Sequence, residues 1–158
     1  VSGIDLSTAM IGQARQRLSQ DADLHVGDAS DMPYGDQSFD LVTSAMSLHE
    51  MDPEVRARVL AESARVCKAE GRLLLIDFHP GPLRGFEGRW RRAVTFTIER
   101  LAGGSHYRNY RESLRAGGLP ALVERAGLSI ADQRIVGGGN FALVIAKPGA
   151  AALEGETS

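Results

Sequence analysis

The sequence has little cysteine, no long apolar run and no excess of positive charge, and each absence excludes a class of protein. Its 158 residues include one cysteine, Cys67, which cannot form an internal disulfide, and no cysteine or histidine pair has structural-zinc spacing. The longest apolar runs, such as Leu73–Ile76 and Phe141–Ala146, fall far short of the roughly 20 residues that a membrane helix needs. We therefore expect a cytoplasmic protein in a reducing environment, with no metal and no membrane span.

The charge and composition are those of a folded domain without a bulk preference for polyanions. The formal net charge is -2, so nucleic acid is not an expected partner. Hydrophobic residues make up 43% of the sequence and charged residues 24%, which predicts a chain that folds around a core. One local basic cluster stands out, and it is either a solvated face or a site for an anionic substrate or RNA: Arg84, Arg89, Arg91 and Arg92.

Segments of strand and helix pattern alternate along the first half of the chain. Strands are predicted to end at Asp5, Val26, Ser44 and Asp77, with helices over about Thr8–Ser19 and from Asp52 up to Gly71. Near the end, Leu128–Val136 and Phe141–Ala146 read as an antiparallel hairpin. This order predicts an α/β fold with a Rossmann-like, doubly wound and mostly parallel sheet that has an antiparallel C-terminal strand.

We predict one domain over residues 1–149, with a helical insertion at about 82–117 and a disordered tail at 150–158. Within the insertion, apolar side chains recur at helical spacing, among them Phe86, Trp90 and Val94. This stripe either packs on the sheet or lines an acceptor pocket as a lid.

Polar side chains follow the predicted strands, and the carboxyl ends of parallel strands meet at one edge of a sheet. Asp5 is placed either to accept hydrogen bonds from both hydroxyls of a ribose or to cap the next helix. Asp28 is placed either to accept from an exocyclic amine such as that of adenine or to close an Asx turn with its neighbours. Together, the two acids predict a nucleoside site.

The order of these motifs resembles that of the class I S-adenosylmethionine-dependent methyltransferases. The matching segments are Val1–Ser7, Val26–Ala29 followed by Met32-Pro33, Ser38–Val42, and Arg65–Leu73, the last departing from the family at Cys67 and at Ala69-Glu70. Within the family, Ser44–His49 and the C-terminal strands look most like the ubiquinone/menaquinone-biosynthesis type and its small-molecule relatives.

The resemblance implies S-adenosylmethionine as cofactor and a small-molecule methyl acceptor. It implies that Asp5 binds the ribose, that Leu6 packs on the adenine face, that Asp28 and the Ala29 backbone contact the adenine edge, and that Ser44 lies beneath the methionine portion. His49 is the candidate general base, since its unperturbed pKa lies near neutrality. Alternatively His49 only packs against the helix that begins at Asp52, or joins Asp77 and His79 in a metal site.

The first strand and the glycine-rich loop of that family have no counterpart in this sequence, which therefore looks like a fragment. Without that central strand, the first two predicted strands are expected not to pair with the strand at 39–44, and cofactor binding by this chain alone is expected to be weak or absent. Two other functions remain open: a non-catalytic or truncated methyltransferase-fold binding domain, and an NAD-dependent Rossmann oxidoreductase, which the Gly27–Ala29 loop disfavours. The sequence does not determine the oligomeric state.

Overall fold

The computed structural model describes residues 1–149, in which strands and helices alternate largely as predicted. The strands are β1 (Ser2–Asp5), β2 (Asp23–Val26), β3 (Phe39–Ala45), β4 (Cys67–Phe78), β5 (Ser129–Val136) and β6 (Phe141–Lys147). The helices are α1 (Thr8–Arg17), α2 (Pro53–Val66), α3 (Gly85–Ala102), α4 (Gly104–Arg115) and α5 (Gly118–Arg125). Short 3₁₀ turns lie at Leu48–Glu50 and Gly137–Gly139. The predicted tail at 150–158 lies outside the described residues.

The strands form two separate sheets. β1 and β2 pair in parallel with each other, and the second sheet has the order β3-β4-β6-β5. In that sheet β3 and β4 are parallel, whereas β6 runs antiparallel to both β4 and β5. The predicted α/β fold class, with its antiparallel C-terminal strand, is confirmed. The first two strands pair with each other and not with β3, as the sequence predicts.

The apolar core lies on one face of the four-stranded sheet. Leu73 and Leu75 of β4 and Val144 of β6 are fully buried, while their sequence neighbours Leu74 and Ile76 are only half-buried. α2 and α5 cover the buried face with further apolar side chains, including Val59, Leu60, Leu119, Leu122 and Val123. Burial alternates along residues 73–77, because the second face of the sheet is less completely covered.

The predicted end of α2 at Gly71 is wrong. The helix ends at Val66, and β4 begins at Cys67, which pairs with Phe39 of β3. An irregularity in the ladder follows, since the next pair joins Leu41 to Arg72. Helical spacing in the sequence could not show this change, because residues 67–71 are drawn into the sheet by pairing with a strand far away in the chain.

α3 and α4 follow β4 and lead into α5. α3 is fixed to the loop between β5 and β6: Arg84 N donates to Gly138 O at 2.8 Å, and Arg92 Nε donates to the side-chain oxygen of Asn140 at 2.7 Å. Phe96 of α3 meets Tyr107 of α4 edge to face. No helix among residues 1–149 is both long and apolar enough to cross a bilayer.

Candidate functional site

The carboxyl ends of β1, β2 and β3 border one cleft of about 640 Å³. All the side chains predicted to bind a cofactor line it: Asp5, Leu6, Asp28, Ala29 and Ser44. They come from both sheets, since β1 and β2 lead to the first four and β3 carries Ser44. Val55 and Val59 of α2 also line the cleft. The strand-end argument therefore locates a shared cleft, although the pairing that would join its two sides into one sheet is not made.

The two acids close the turns that follow their strands. Asp5 Oδ1 accepts from Ser7 N at 2.8 Å, and Ser7 in turn caps α1 by accepting from Met10 N. Asp28 Oδ1 accepts from Ser30 N at 2.8 Å. That backbone hydrogen bond, supported by the Ser30 hydroxyl, lowers the pKa of Asp28. Both carboxylates are exposed at the cleft, and Asp28 is held in its charged form.

An ion-pair network that the sequence analysis did not predict holds the loop after β2 against α2. Glu62 accepts from Met32 N at 2.8 Å and from Arg65, whose hydrogen bonds lower the pKa of that carboxyl group. Arg65 also donates to the carbonyl oxygens of Met32 and Tyr34 and to Asp36. The loop that contains Asp28 is therefore held at Met32 by α2, the helix that packs on the four-stranded sheet.

Ser44 lies near the end of β3 and lines the cleft. Its hydroxyl is 2.8 Å from the hydroxyl of Ser47, so the two side chains share a hydrogen bond. Between them Met46 has a φ of 57°, and its N–H donates to Ile76 O at 2.8 Å. The chain turns sharply there, which places Ser44 and Ser47 together at the cleft.

His49 is buried beside Asp77 in the turn that follows. Its ring is 2.8 Å from Asp77 Oδ1 through Nδ1, and its backbone N–H donates to Asp77 Oδ2 at 3.1 Å. Its Nε2 faces Glu99 at 3.7 Å and Glu50 at 3.9 Å. Burial by itself lowers the pKa of His49, but the hydrogen bond and the charge of Asp77, with the two glutamates, outweigh it, so the pKa of His49 is raised.

The cleft and the buried histidine are adjacent but distinct. His49 is 2% exposed and is not among the residues that line the cleft, whereas its neighbour Glu50 is. His106 of α4 also lines the cleft, and the sequence analysis missed it because no motif links α4 to the strand ends. His79 is turned toward the Gly139 carbonyl. Within residues 1–149 no three His, Cys, Asp or Glu side chains are grouped to hold a metal ion.

The fold and the cleft define a Rossmann-like α/β domain with acids at its strand ends. Residues 1–75 match the family model described as "Methyltransferase domain". This match confirms the resemblance to the class I S-adenosylmethionine-dependent methyltransferases that was found in the sequence.

Two demethylmenaquinone methyltransferases are similar to this chain over part of their length. The chain is 37% identical over 89 residues to a demethylmenaquinone methyltransferase of Thermotoga maritima, covering 56% of this chain and 38% of the relative. It is 32% identical over 148 residues to a demethylmenaquinone methyltransferase of Mycobacterium sp. (strain KMS), covering 88% of this chain and 62% of the relative. The chain thus spans less than two thirds of either relative.

The fold is similar to that of a crystal structure of the Burkholderia thailandensis 1,6-didemethyltoxoflavin-N1-methyltransferase. The two match with a TM-score of 0.60 and 14% identity, over 94% of this chain and 61% of the other. At this identity the match establishes the fold.

Proposed function

We propose that the protein transfers a methyl group from S-adenosylmethionine to a small-molecule acceptor. The observation that carries this proposal is the convergence of Asp5 and Asp28, with Leu6, Ala29 and Ser44, on one cleft. Two carboxylate acceptors and a hydroxyl at one cleft suit a ligand that combines a nucleoside with an amino acid.

The residues present fit S-adenosylmethionine by their chemistry. Asp5 would hold the ribose hydroxyls, because a charged carboxylate accepts two hydrogen bonds. Leu6 is 75% exposed at the cleft and offers an apolar surface to the adenine face, while Asp28 and the Ala29 backbone would contact its edge. Ser44 would lie beneath the methionine portion. When bound, the cofactor supplies an electrophilic methyl group, and the chain's task is to orient the acceptor and exclude water.

For the acceptor we propose a quinone precursor. The support is that two similar proteins are demethylmenaquinone methyltransferases. The cleft is compatible with a partly apolar acceptor, since Val42, Met51, Val55 and Val59 line it beside the polar residues.

We assign His49 the role of proton acceptor, reached from the cleft through Glu50. Asp77 accepts from Nδ1, so Nε2 is the ring nitrogen that is left to take up a proton. Because Glu50 lines the cleft and lies 3.9 Å from Nε2, a proton leaving the acceptor reaches Glu50 first. Asp77 positions the ring and stabilises its charged form.

The same proposal covers the organisation of the protein. Residues 1–149 form one domain of the enzyme, and 82–117 are a helical insertion between β4 and α5. The enzyme acts in the cytoplasm, with a small molecule and not a nucleic acid as its partner.

Calorimetric titration with S-adenosylhomocysteine, in the protein as its gene encodes it, tests the cofactor site. Asp5→Ala is expected to weaken binding by about 1 to 3 kcal/mol, the scale for losing hydrogen bonds to a charged group. The matched control is Asp31→Ala, since Asp31 is exposed in the neighbouring loop and is not among the cleft residues. Equal affinities of the Asp5 variant and the wild type would remove the ribose role, and no binding by the wild type would favour a non-catalytic domain.

Methyl transfer tests the proton route in the same preparations. Glu50→Gln is expected to keep the affinity for S-adenosylhomocysteine and to lower turnover of a demethylated quinone, since the amide cannot accept the proton. The control is Glu54→Gln in the first turn of α2, four residues after Glu50, and it should leave turnover unchanged. Wild-type turnover in Glu50→Gln would exclude the route.

A further inference from the structure

α3 contacts the rest of the protein through polar groups and glycine, with Phe96 against Tyr107 of α4 as an aromatic contact. A Cβ atom added to Gly88 would overlap the backbone of Gly138, so helix and loop touch directly. One turn later Arg92 donates to Asn140 and to the His79 carbonyl. Two turns further, Glu99 lies 3.7 Å from His49 Nε2. Backbone contact and hydrogen bonds therefore anchor this helix, where an apolar stripe is the usual anchor.

The apolar stripe of α3 points to solvent. We call it the outer face of α3. It consists of Phe86, Trp90, Val94, Ile98 and Leu101, which are 83%, 61%, 40%, 58% and 82% exposed. These positions recur every three or four residues, so they share one side of the helix. A helix of a soluble domain normally has the opposite orientation, and the sequence stripe therefore neither packs on the sheet nor lines the cleft.

Positive charge borders the outer face. Arg89 and Arg100 lie along one side of it by helical period and are exposed. On the other side Arg91 is also exposed and forms an ion pair with Glu87, with 2.7 Å between nitrogen and oxygen. Residues 82–117 contain eight arginines and three glutamates, although the whole chain carries a net charge of -2. The remaining residues are therefore net negative, and an anionic surface would attract the α3–α4 side of the molecule and repel the rest.

We propose that the outer face of α3 is a docking surface for an anionic lipid bilayer. The helix would lie in the plane of the membrane, with its five apolar side chains in the boundary between headgroups and acyl chains and its arginines on the phosphates. An apolar strip beside a cationic margin, formed by Arg89 and Arg100, matches the two chemistries that a bilayer surface presents side by side. Docking in this orientation leaves the Gly88 and Arg92 contacts of the inner face undisturbed.

The charge pattern disfavours a second copy of this chain as the occupant. A symmetric dimer through this face would bring the arginines of one copy against those of the other, because both copies would use the same patch. The acidic part of a second copy would be a poor match for the apolar strip. A bilayer offers acyl chains to the apolar side chains and phosphates to the arginines.

Flotation with vesicles tests the proposal directly. The full chain is expected to float with vesicles of phosphatidylcholine and phosphatidylglycerol and to bind much less to phosphatidylcholine alone. Trp90 is the single tryptophan of the sequence and lies in the outer face, so its fluorescence reports the site. On binding, its emission should move to shorter wavelength, and a brominated acyl chain should quench it.

Paired variants separate the apolar from the charged contribution. Phe86→Ser with Leu101→Ser, and Arg89→Glu with Arg100→Glu, should each weaken vesicle binding by about tenfold or more. The matched controls are Leu41→Ser, 56% exposed on β3, and Arg134→Glu, with a side chain 79% exposed on β5. Neither control should change binding. All four substituted sets lie on the surface, so circular dichroism should show an unchanged fold.

Three results would overturn the proposal. They are absence of flotation with anionic vesicles, equal binding to the two kinds of vesicle, and unchanged binding of both double variants. A shift of the Trp90 emission that follows protein concentration without lipid, together with a dimeric mass by light scattering, would assign the outer face to a second copy instead.

Discussion

The two sheets of this protein differ in how much of the core they hold and in what they bring to the cleft. Among the described residues, the fully buried apolar side chains run from Leu48 onward, with Ile11 of α1 as the exception. Asp5 and Asp28 therefore belong to a β1–α1–β2 unit that has few buried apolar side chains. The four-stranded sheet carries Ser44, and buries Asp77, on a support with a continuous core.

The two candidate ribose- and adenine-binding acids thus lie at or just after the ends of strands of the two-stranded sheet, whereas most of the apolar core lies on the four-stranded sheet. Segments with few buried apolar contacts open locally at lower free energy than core strands. The acids that would bind a ligand thus lie in the part of the structure that core packing holds least, while the buried His49–Asp77 pair lies in the part that it holds most.

The largest expected effect is the loss of stability when a core side chain is shortened. Leu75→Ala removes a fully buried side chain of β4 and should lower the free energy of unfolding by about 2 to 5 kcal/mol, because it leaves a cavity among packed neighbours. Ile11→Ala should cost less, since the half-buried surroundings of α1 leave room to relax. Urea unfolding measures both. Equal losses would mean that the two-stranded unit shares the core.

A smaller effect contrasts the acids of the two sheets. Asp77→Asn should lower the free energy of unfolding by about 1.5 to 3 kcal/mol, because it takes a charged partner from buried His49. Asp28→Asn, the matched change on the exposed acid of the other sheet, should leave stability nearly unchanged. Thermal unfolding of the two variants decides. A larger loss of stability from Asp28→Asn would show that the exposed acid after β2 contributes more to folding than the buried Asp77.

The smallest expected effect concerns pH. The pKa of His49 is raised in the folded protein, so its protonation favours folding. This contribution should be fully present below the unfolded value of about 6.5 and should disappear as the pH rises through the higher folded value. The difference between the unfolding midpoints of the wild type and His49→Gln, measured at a series of pH values, should therefore shrink through that window and stay constant above it. Parallel curves would show that another group is responsible.

Local pattern was enough to predict the elements and the cleft. The alternation of strands and helices predicted that Asp5, Asp28 and Ser44 would lie at strand ends near one another, and all three line one cleft. Contacts between distant segments were not predictable in the same way. The end of α2 depends on Cys67 meeting Phe39, and the helical period showed that α3 has an apolar stripe without showing which way the stripe faces. That orientation depends on Arg92 meeting Asn140, 48 residues further along the chain.

The contact between Gly88 and Gly138 has a consequence for how this protein can change. Backbone atoms set the spacing between α3 and the loop at this contact. The position of α3 there is therefore independent of the side chains on its outer face. Those side chains are free to be exchanged, one by one or all at once, while the helix keeps its place. Specificity for whatever meets that surface can thus be rewritten without rebuilding the domain beneath it.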